Sequence, residues 1–273
     1  MNISFAERLR SGERLLGTVV TIPAPEVSEV LAGAGYDWIF IDTEHAPIAM
    51  RDAQILMQSA GIPCLIRLAD DREATIKMAL DTGAVGVVVP QVTSAEQAER
   101  IVRCCKYPPL GNRGVGVARA QGYGFDFREY VYSANDDTVV VLQIEHIDAV
   151  RAIEDIALVP GVNALFVGPY DLSGSLGRLG EVEHFEVQAT IERVKNVCEE
   201  TGRRLGIFAH NVRAGVRYLE QGYTLVAVGG DAGMLGEAAR DALAVLKLAK
   251  LPGHAGDLDL GATANEDLQM KGT

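Results

Sequence analysis

Residues Asp81–Gln91 read DTGAVGVVVPQ. A glycine-bearing turn opens the stretch, an apolar run follows without polar alternation, and Pro90 closes it before Gln91. A strand with one face in water alternates polar and apolar residues. A strand that is apolar at every position is buried on both faces, which implies a parallel sheet covered by helices. The flanking segments, Glu73–Thr82 and Ala95–Cys105, carry the helical period. The repeating unit is therefore a strand, a polar strand end, a helix and a glycine turn.

Outward from this stretch the unit recurs along the chain. Further strands are predicted at Leu16–Val20, Trp38–Ile41, Cys64–Ile66, Val139–Ile144, Ala164–Val167, Leu205–Phe208 and Leu225–Val228, beside Gly86–Val89 itself. Further helices are predicted at Glu26–Ala34, Arg51–Ala60, Ala149–Ile156, Phe185–Thr201, Val212–Gln221 and Met234–Leu248. Gly and Pro mark the changes of period, as in AGAGYD, SAGIP, VPGVN and EQGYT. Eight successive βα units predict a single-domain α/β fold, a (β/α)8 TIM barrel over residues 1–250. No GxGxxG follows the first strand, so the dinucleotide-binding alternative lacks its main signal. Two segments break the repeat. Tyr107–Ser133 is long and rich in Gly, Arg and Tyr, which suits a functional or interface element. Residues 251–273 are Gly-, Ala- and Asp-rich and are expected to form a flexible tail.

The chain has 273 residues, 48% of them hydrophobic, enough for a sizeable core. No apolar run approaches the length of a membrane span, and charges interrupt the N-terminus by Glu7 and Arg8, so a soluble cytoplasmic protein is expected. A net charge of −12 argues against nucleic-acid binding, which needs a basic footprint. The four cysteines show no CxxC spacing and read as buried reduced thiols.

In such barrels catalytic groups gather at the C-terminal strand ends. There the sequence places Asp42, Glu44 and His45, then Arg67, Pro90–Gln91, Gln143 and Glu145, Gly168–Asp171, His210 and Asp231. Glu145 and Asp171 stand out as a metal pair, since a hard cation takes a few carboxylates and leaves positions for substrate oxygens. Helix capping by Glu145 and a turn built on Asp171 is the structural alternative. Gln143 shares a strand face with Glu145 and makes a polar interior patch. Arg67 ends an apolar strand and needs an anionic partner, either a protein carboxylate or a substrate oxygen. His45 suits proton transfer or a structural hydrogen bond. None of the six lysines ends a strand, so Schiff-base chemistry has no nucleophile, and no GxSxG supports a serine nucleophile.

The motifs DTEHAP, IRL, ALDTGAVGVVVP, RGVGVARA, LQIE and VGPYDLSGSLG, in that order, resemble the metal-dependent pyruvate aldolases of the HpcH/HpaI type. That family includes 4-hydroxy-2-oxoheptanedioate, 2-dehydro-3-deoxyglucarate and 2-keto-3-deoxy-L-rhamnonate aldolases. The resemblance implies a carbon–carbon lyase that reversibly joins the enolate of pyruvate, or of a close 2-oxoacid, to an aldehyde. It implies Mg²⁺, Mn²⁺ or Co²⁺ held by Glu145 and Asp171, with Gln143, Gly168, Pro169 and Tyr170 binding the ketoacid. Arg67 would contact the keto oxygen, and His45 would be the acid/base, oriented by Asp81. Asp42 and Glu44 would surround the site without being main ligands. The resemblance also implies a last helix exchanged with a neighbour and a homohexamer built as a trimer of dimers, with RGVGVARAQGYG near an interface and the aldehyde end of the pocket. Tyr170 stands where some members carry a small residue, and Val19–Thr21 replaces a Trp-containing segment of others, so the aldehyde is left open. Decarboxylation of a 2-oxo diacid and acyl-thioester lyase chemistry are alternatives on the same site.

Overall fold

The computed structural model describes residues 3–249, with side chains to residue 247. In chain order the elements are α1 (Phe5–Ser11), β1 (Leu15–Val20), α2 (Pro25–Gly33), β2 (Trp38–Asp42), α3 (Met50–Ala60), β3 (Cys64–Arg67), α4 (Glu73–Asp81) and β4 (Gly86–Val89). Then come α5 (Ala95–Cys105), a 3₁₀ turn at Arg119–Gly124, α6 (Phe127–Asp137), β5 (Val139–Ile144), α7 (Ile147–Arg151), α8 (Ile153–Leu158) and β6 (Ala164–Val167). The chain continues through α9 (Pro169–Ser175), α10 (Phe185–Thr201), β7 (Arg204–Ala209), α11 (Val212–Glu220), β8 (Leu225–Gly230) and α12 (Asp231–Ala249). The eight strands pair in sequence order, all parallel, and β8 closes on β1. The predicted (β/α)8 barrel is the fold observed.

The closure is the irregular seam. Leu15 to Gly17 pair with Leu225 to Ala227, and the register then shifts so that Val19 faces Gly230. Buried Thr18 spans the shift by donating its hydroxyl to Val228 O at 2.9 Å. Gly17 is required here, because a Cβ would run into the Trp38 indole.

Side chains one apart on a strand face opposite ways, so every second residue points into the barrel. Trp38, Phe40, Leu65, Val88, Val139, Val141, Ala164, Phe166, Leu225 and Ala227 fill that interior together with Phe5, Ala6 and Leu9 of α1. An aromatic column runs through it: Phe5 lies 6.4 Å from Trp38, Trp38 lies 6.0 Å from Phe40, and Phe40 lies 5.8 Å from Phe166. Continued by the same period of two, Trp38 and Phe40 lead to Asp42, Leu65 to Arg67, and Val139 and Val141 to Gln143 and Glu145. The interior changes from apolar to charged at one end, and that end carries the site.

The chain divides into two units, Met1–Gly233, which holds the barrel, and Met234–Thr273. Of the second, α12 is described as far as Ala249, and its Leu235, Leu243, Val245 and Leu246 are exposed. The tail expected at 251–273 lies outside the described residues. No helix among the described residues is long and apolar enough to cross a membrane.

Candidate active site

A cavity of about 370 Å³ opens at the C-terminal strand ends, lined among others by Phe40, His45, Arg67, Gln143, Phe166, Gly168 to Asp171, Phe208, His210 and Asp231. Three phenylalanines make an apolar floor and wall, and the polar groups converge above them.

On one side stands an ion pair between neighbouring strands. Asp42 and Arg67 are register partners of β2 and β3, and Arg67 grips the carboxylate with Nε at 3.0 Å and Nη2 at 2.6 Å. Asp42 also accepts the Glu44 and His45 backbone N–H groups at 3.0 and 3.2 Å, which folds the TEHA turn back over it. Burial pushes the Asp42 carboxyl up, but the Arg67 bond and charge and the two N–H groups outweigh it and hold the group below the usual range. Arg67 lies over the Phe40 ring at 5.3 Å. Two of its nitrogens are engaged by Asp42, and Nη1 has no protein partner among the described residues.

His45 is exposed, with Nε2 3.6 Å from Glu44 Oε2, while Arg67 Nε lies 3.3 Å from the same oxygen. That oxygen is buried and accepts no hydrogen bond. Burial raises the Glu44 carboxyl above its ordinary value, with Asp42 and Asp171 adding and Arg67 and His45 opposing.

Across the cavity, Glu145 is buried at 2% exposure. Its Oε1 accepts the Gln91 N–H at 2.8 Å, and its Oε2 accepts from Gln143 Nε2. Burial pushes its carboxyl up to about 7, against the Gln91 bond and with help from Asp171 and Glu44. Gln91 reaches it from a left-handed conformation, φ 54°, which is unusual for a residue with a side chain and characteristic of functional sites. Gln143 Oε1 is buried without a partner. A Cβ on Gly168 would fall 2.8 Å from both Gln143 Nε2 and Glu145 Oε2, so only glycine lets the β6–α9 turn pass this close. Pro169 then starts α9 with its fixed φ, and Asp171 comes in the first turn, on the cavity wall.

Like charges crowd here without a neighbouring cation except Arg67, and a buried acceptor stands unused. That donor set, two carboxylates and an amide oxygen, fits a hard divalent ion that takes few protein ligands and keeps other positions for water or substrate. No cluster of three or more His, Cys, Asp or Glu side chains placed to hold a metal occurs among the described residues. Glu145 and Asp171 are the pair that could do so.

The sequence-predicted residues His45, Arg67, Gln143, Gly168, Pro169, Tyr170 and Asp171 all line this cavity, and Glu145 bonds the lining residue Gln143. Asp81 does not join them within the chain. It closes α4, a helix that runs back toward the N-terminal strand ends, and there it binds Arg113 Nη2 at 2.8 Å. The carboxylate beside His45 in this chain is Glu44. Arg113, from the long 107–133 segment, is fully buried between Tyr107 and Tyr130, at 4.7 and 5.8 Å. Two rim residues named from the sequence, Gln91 and Asp231, have roles that only the structure gives. The Gln91 backbone donor depends on a conformation no residue type announces. Asp231 accepts from Thr21 N, Thr21 Oγ1, Ile22 N and Ala232 N, all within 3.1 Å, and ties the first and last strand ends together.

A parallel (β/α)8 barrel with these carboxylates, one arginine and one histidine at its C-terminal rim is the framework of a carbon–carbon lyase. The chain belongs to the HpcH/HpaI aldolase/citrate lyase family, whose model matches residues 20–238. It is 39% identical over 241 residues to 2-dehydro-3,6-dideoxy-6-sulfogluconate aldolase of Pseudomonas putida, covering 87% of this chain and 94% of that one. It is also 39% identical over 242 residues to a hydroxypyruvate/pyruvate aldolase of Pseudomonas aeruginosa, covering 87% and 90%. Among solved structures, an HpcH/HpaI aldolase/citrate lyase family protein from Burkholderia cenocepacia superimposes with a TM-score of 0.86 at 36% identity, over 90% of this chain and 100% of that one.

Proposed function

We propose that the chain is a divalent-metal-dependent aldolase that reversibly joins pyruvate, or a close 2-oxoacid, to an aldehyde and cleaves 4-hydroxy-2-oxoacids. One observation carries the metal dependence: Glu145 is buried, pressed toward neutrality and faced by Asp171, with an unpartnered Gln143 oxygen and a glycine cradle beside it. Glu145 and Asp171 would hold Mg²⁺, Mn²⁺ or Co²⁺. When bound, such an ion supplies positive charge beside the keto oxygen, which makes a methyl proton of the 2-oxoacid removable near neutral pH.

The chain's own residues do the rest. The turn Gly168–Tyr170 at the head of α9 would meet the substrate carboxylate through the Tyr170 N–H, since Pro169 has none and the Gly168 N–H is on Ile144 O at 3.2 Å. Arg67, pinned by Asp42, presents Nη1 where oxygen charge develops, and preorganised charge of this kind is commonly the largest catalytic contribution. His45 moves the proton, and the nearest carboxylate oxygen in the chain, Glu44 Oε2, lies 3.6 Å from its Nε2, beyond hydrogen-bond reach. Phe40, Phe166 and Phe208 keep water from the reacting carbon.

The same reading includes assembly. We propose a homohexamer of paired subunits in which α12 is exchanged with a neighbour. The exposed Leu235, Leu243, Val245 and Leu246 of α12 and the exposed Val117, Tyr123, Phe125 and Tyr132 call for partners. Asp81 would then meet His45 across an interface, from the neighbouring subunit. Four free, buried cysteines suit a reducing cytoplasm.

The test is exchange of pyruvate methyl protons with deuterium, read by NMR before and after EDTA. Exchange should vanish with chelation and return with Mn²⁺. Full exchange in a metal-free sample, or in the Glu145→Ala/Asp171→Ala double variant, would sink the reading.

A further inference from the structure

In the reading above, the 2-oxoacid is held at the ends of β3, β5 and β6, through Arg67, Glu145 and Asp171. The strands close in sequence order, so β7, β8 and β1 form the opposite sector of the rim. That sector gives Val19, Thr21, Phe208, His210 and residues 229–233 to the same cavity. His45 follows β2, at the sector's edge. A second substrate that meets both His45 and the reacting carbon therefore packs against this wall.

The wall is made of material that does not hold its own shape. Residues 229–233 read GGDAG, with Gly229 at φ 60°, and the β1–β8 pairing beneath them carries the register shift that sets Val19 opposite Gly230. Three glycines bring no side chain to pack, and their conformational freedom makes the segment costly to order. Asp231, at 5% exposure, is what holds it. Its Oδ1 accepts from Thr21 Oγ1 at 2.7 Å and from Ala232 N at 2.8 Å. Its Oδ2 accepts from Thr21 N at 2.9 Å and from Ile22 N at 2.8 Å. The four donors are neutral and belong to the two segments that make the wall. An amide in this position, whichever way it is turned, sets its NH2 group against a backbone N–H, that of Ala232 or that of Ile22. No step of the proposed reaction uses this carboxylate.

We infer that Asp231 is a positioning residue for the second substrate. It fixes the 21–22 segment against the 229–233 segment and so sets the wall that the aldehyde meets, while the 2-oxoacid half of the site is complete without it. With both oxygens committed, Asp231 acts through Thr21 and the glycines. This rests on the aldolase reading above and adds one residue to that reaction. A carboxylate that served the fold alone would lower stability and touch both halves of the reaction alike.

The experiment takes two readouts from the Mn²⁺-loaded full-length enzyme. Exchange of pyruvate methyl protons, without aldehyde, reports the 2-oxoacid half. Initial rates of aldol addition report the other half, with whichever of glycolaldehyde, D-glyceraldehyde and succinic semialdehyde the parent turns over fastest. In Asp231→Asn the KM for that aldehyde should rise at least about tenfold, the scale of one misplaced buried polar contact, with exchange within about twofold of the parent. Thr21→Val removes one of the bonds and should raise the same KM about threefold, and Thr21→Ser, which keeps the hydroxyl, should restore it. If Asp231→Asn does not fold, the Thr21 pair carries the test. The inference is overturned by an aldehyde KM that the variants leave unmoved, or by exchange and addition that fall by the same factor. A parent without exchange, or without addition to any of the three aldehydes, ends the aldolase reading by itself, and amide hydrogen exchange then decides the clamp. Thr21 and Ile22 amides that exchange at least about tenfold faster in Asp231→Asn support it, and unchanged rates overturn it.

Discussion

The two rims of the barrel are both rich in charge, and they handle it in opposite ways. At the N-terminal strand ends, Lys106 Nζ donates to Asn135 O and Thr138 O at 2.7 and 2.8 Å, and Arg10 Nη1 donates to Asp136 O at 2.7 Å. Arg203 donates to Ala157 O at 2.8 Å through Nε and to Val159 O at 3.1 Å through Nη2. These carbonyls end α6 and α8, where helix dipoles favour cations. Each of these three charges is met by backbone carbonyls inside the chain, although Arg113 Nε is buried near the same rim without a partner. At the C-terminal rim the sets are incomplete: Glu44 Oε2 and Gln143 Oε1 are buried without partners, and Glu145 is pushed up to about 7 by burial, with its acidic neighbours adding to the shift. Charge alone does not mark a functional site. Charge whose partners are missing does, because the stability it costs is recovered only when a ligand binds.

The largest expected effect breaks that contrast at the open rim. Glu145→Ala should lower kcat/KM for aldol cleavage by about a thousandfold or more, since several kcal/mol of charge stabilisation would go with the ion. The fold should survive, with an unfolding midpoint in the metal-free state no lower than the parent's. A large loss of stability with little loss of rate would reverse the roles assigned to the two rims.

Asp42→Asn tests the boundary, because it removes the partner of a mostly buried arginine. Stability should fall by about 3 kcal/mol at neutral pH, the scale for breaking one half of a buried pair, measured by urea unfolding. The sign with pH follows from a folded carboxyl held below its unfolded value. The stabilisation is present above the ordinary carboxylate range and is lost as pH falls through the lowered folded value. The gap between parent and variant should therefore narrow in acid. A gap that widens in acid would mean that Arg67 does not hold Asp42 ionised.

The smallest effect belongs to the closed rim. Lys106→Met should cost about 1–2 kcal/mol through two lost charge-assisted bonds, with kcat/KM within about twofold of the parent. A change in rate well beyond that would show that this rim communicates with the site.

The fold was legible because barrel strands announce themselves locally. Gly86–Val89, Val139–Ile144 and Ala164–Val167 occur with the predicted bounds, as do the helices Ala95–Cys105 and Phe185–Thr201. The helix expected at Ala149–Ile156 is instead two, broken at Ala152 with φ −101° and ψ 15°. α6 went unread although Phe127, Tyr130, Val131 and Ala134 follow the i, i+3, i+4, i+7 spacing, because it begins inside the Gly-, Arg- and Tyr-rich segment that breaks the repeat. Most of the site was legible for the same reason as the barrel, since a polar residue ending an apolar strand points to the rim. Asp81 shows the limit and also an unused signal. It ends a helical segment, and a helix returning from a strand finishes at the opposite rim, so the βα alternation places it away from the His45 of its own chain and leaves only the His45 of a neighbour for it to meet.

The sequence by itself determined the eight-fold alternation, the rim that carries the chemistry and the residue types standing there, because periods of two and 3.6 residues and the polarity of strand ends are local properties of the chain. Only the tertiary structure decided which of those residues meet. The register of β2 and β3 gave Arg67 to Asp42, the turn after β2 set Glu44 beside His45, and the close pass of Gly168 and the left-handed Gln91 shaped the pocket around Glu145. These are contacts between segments far apart in sequence or conformations imposed by packing. They follow from barrel closure as a whole, which no window of the sequence contains.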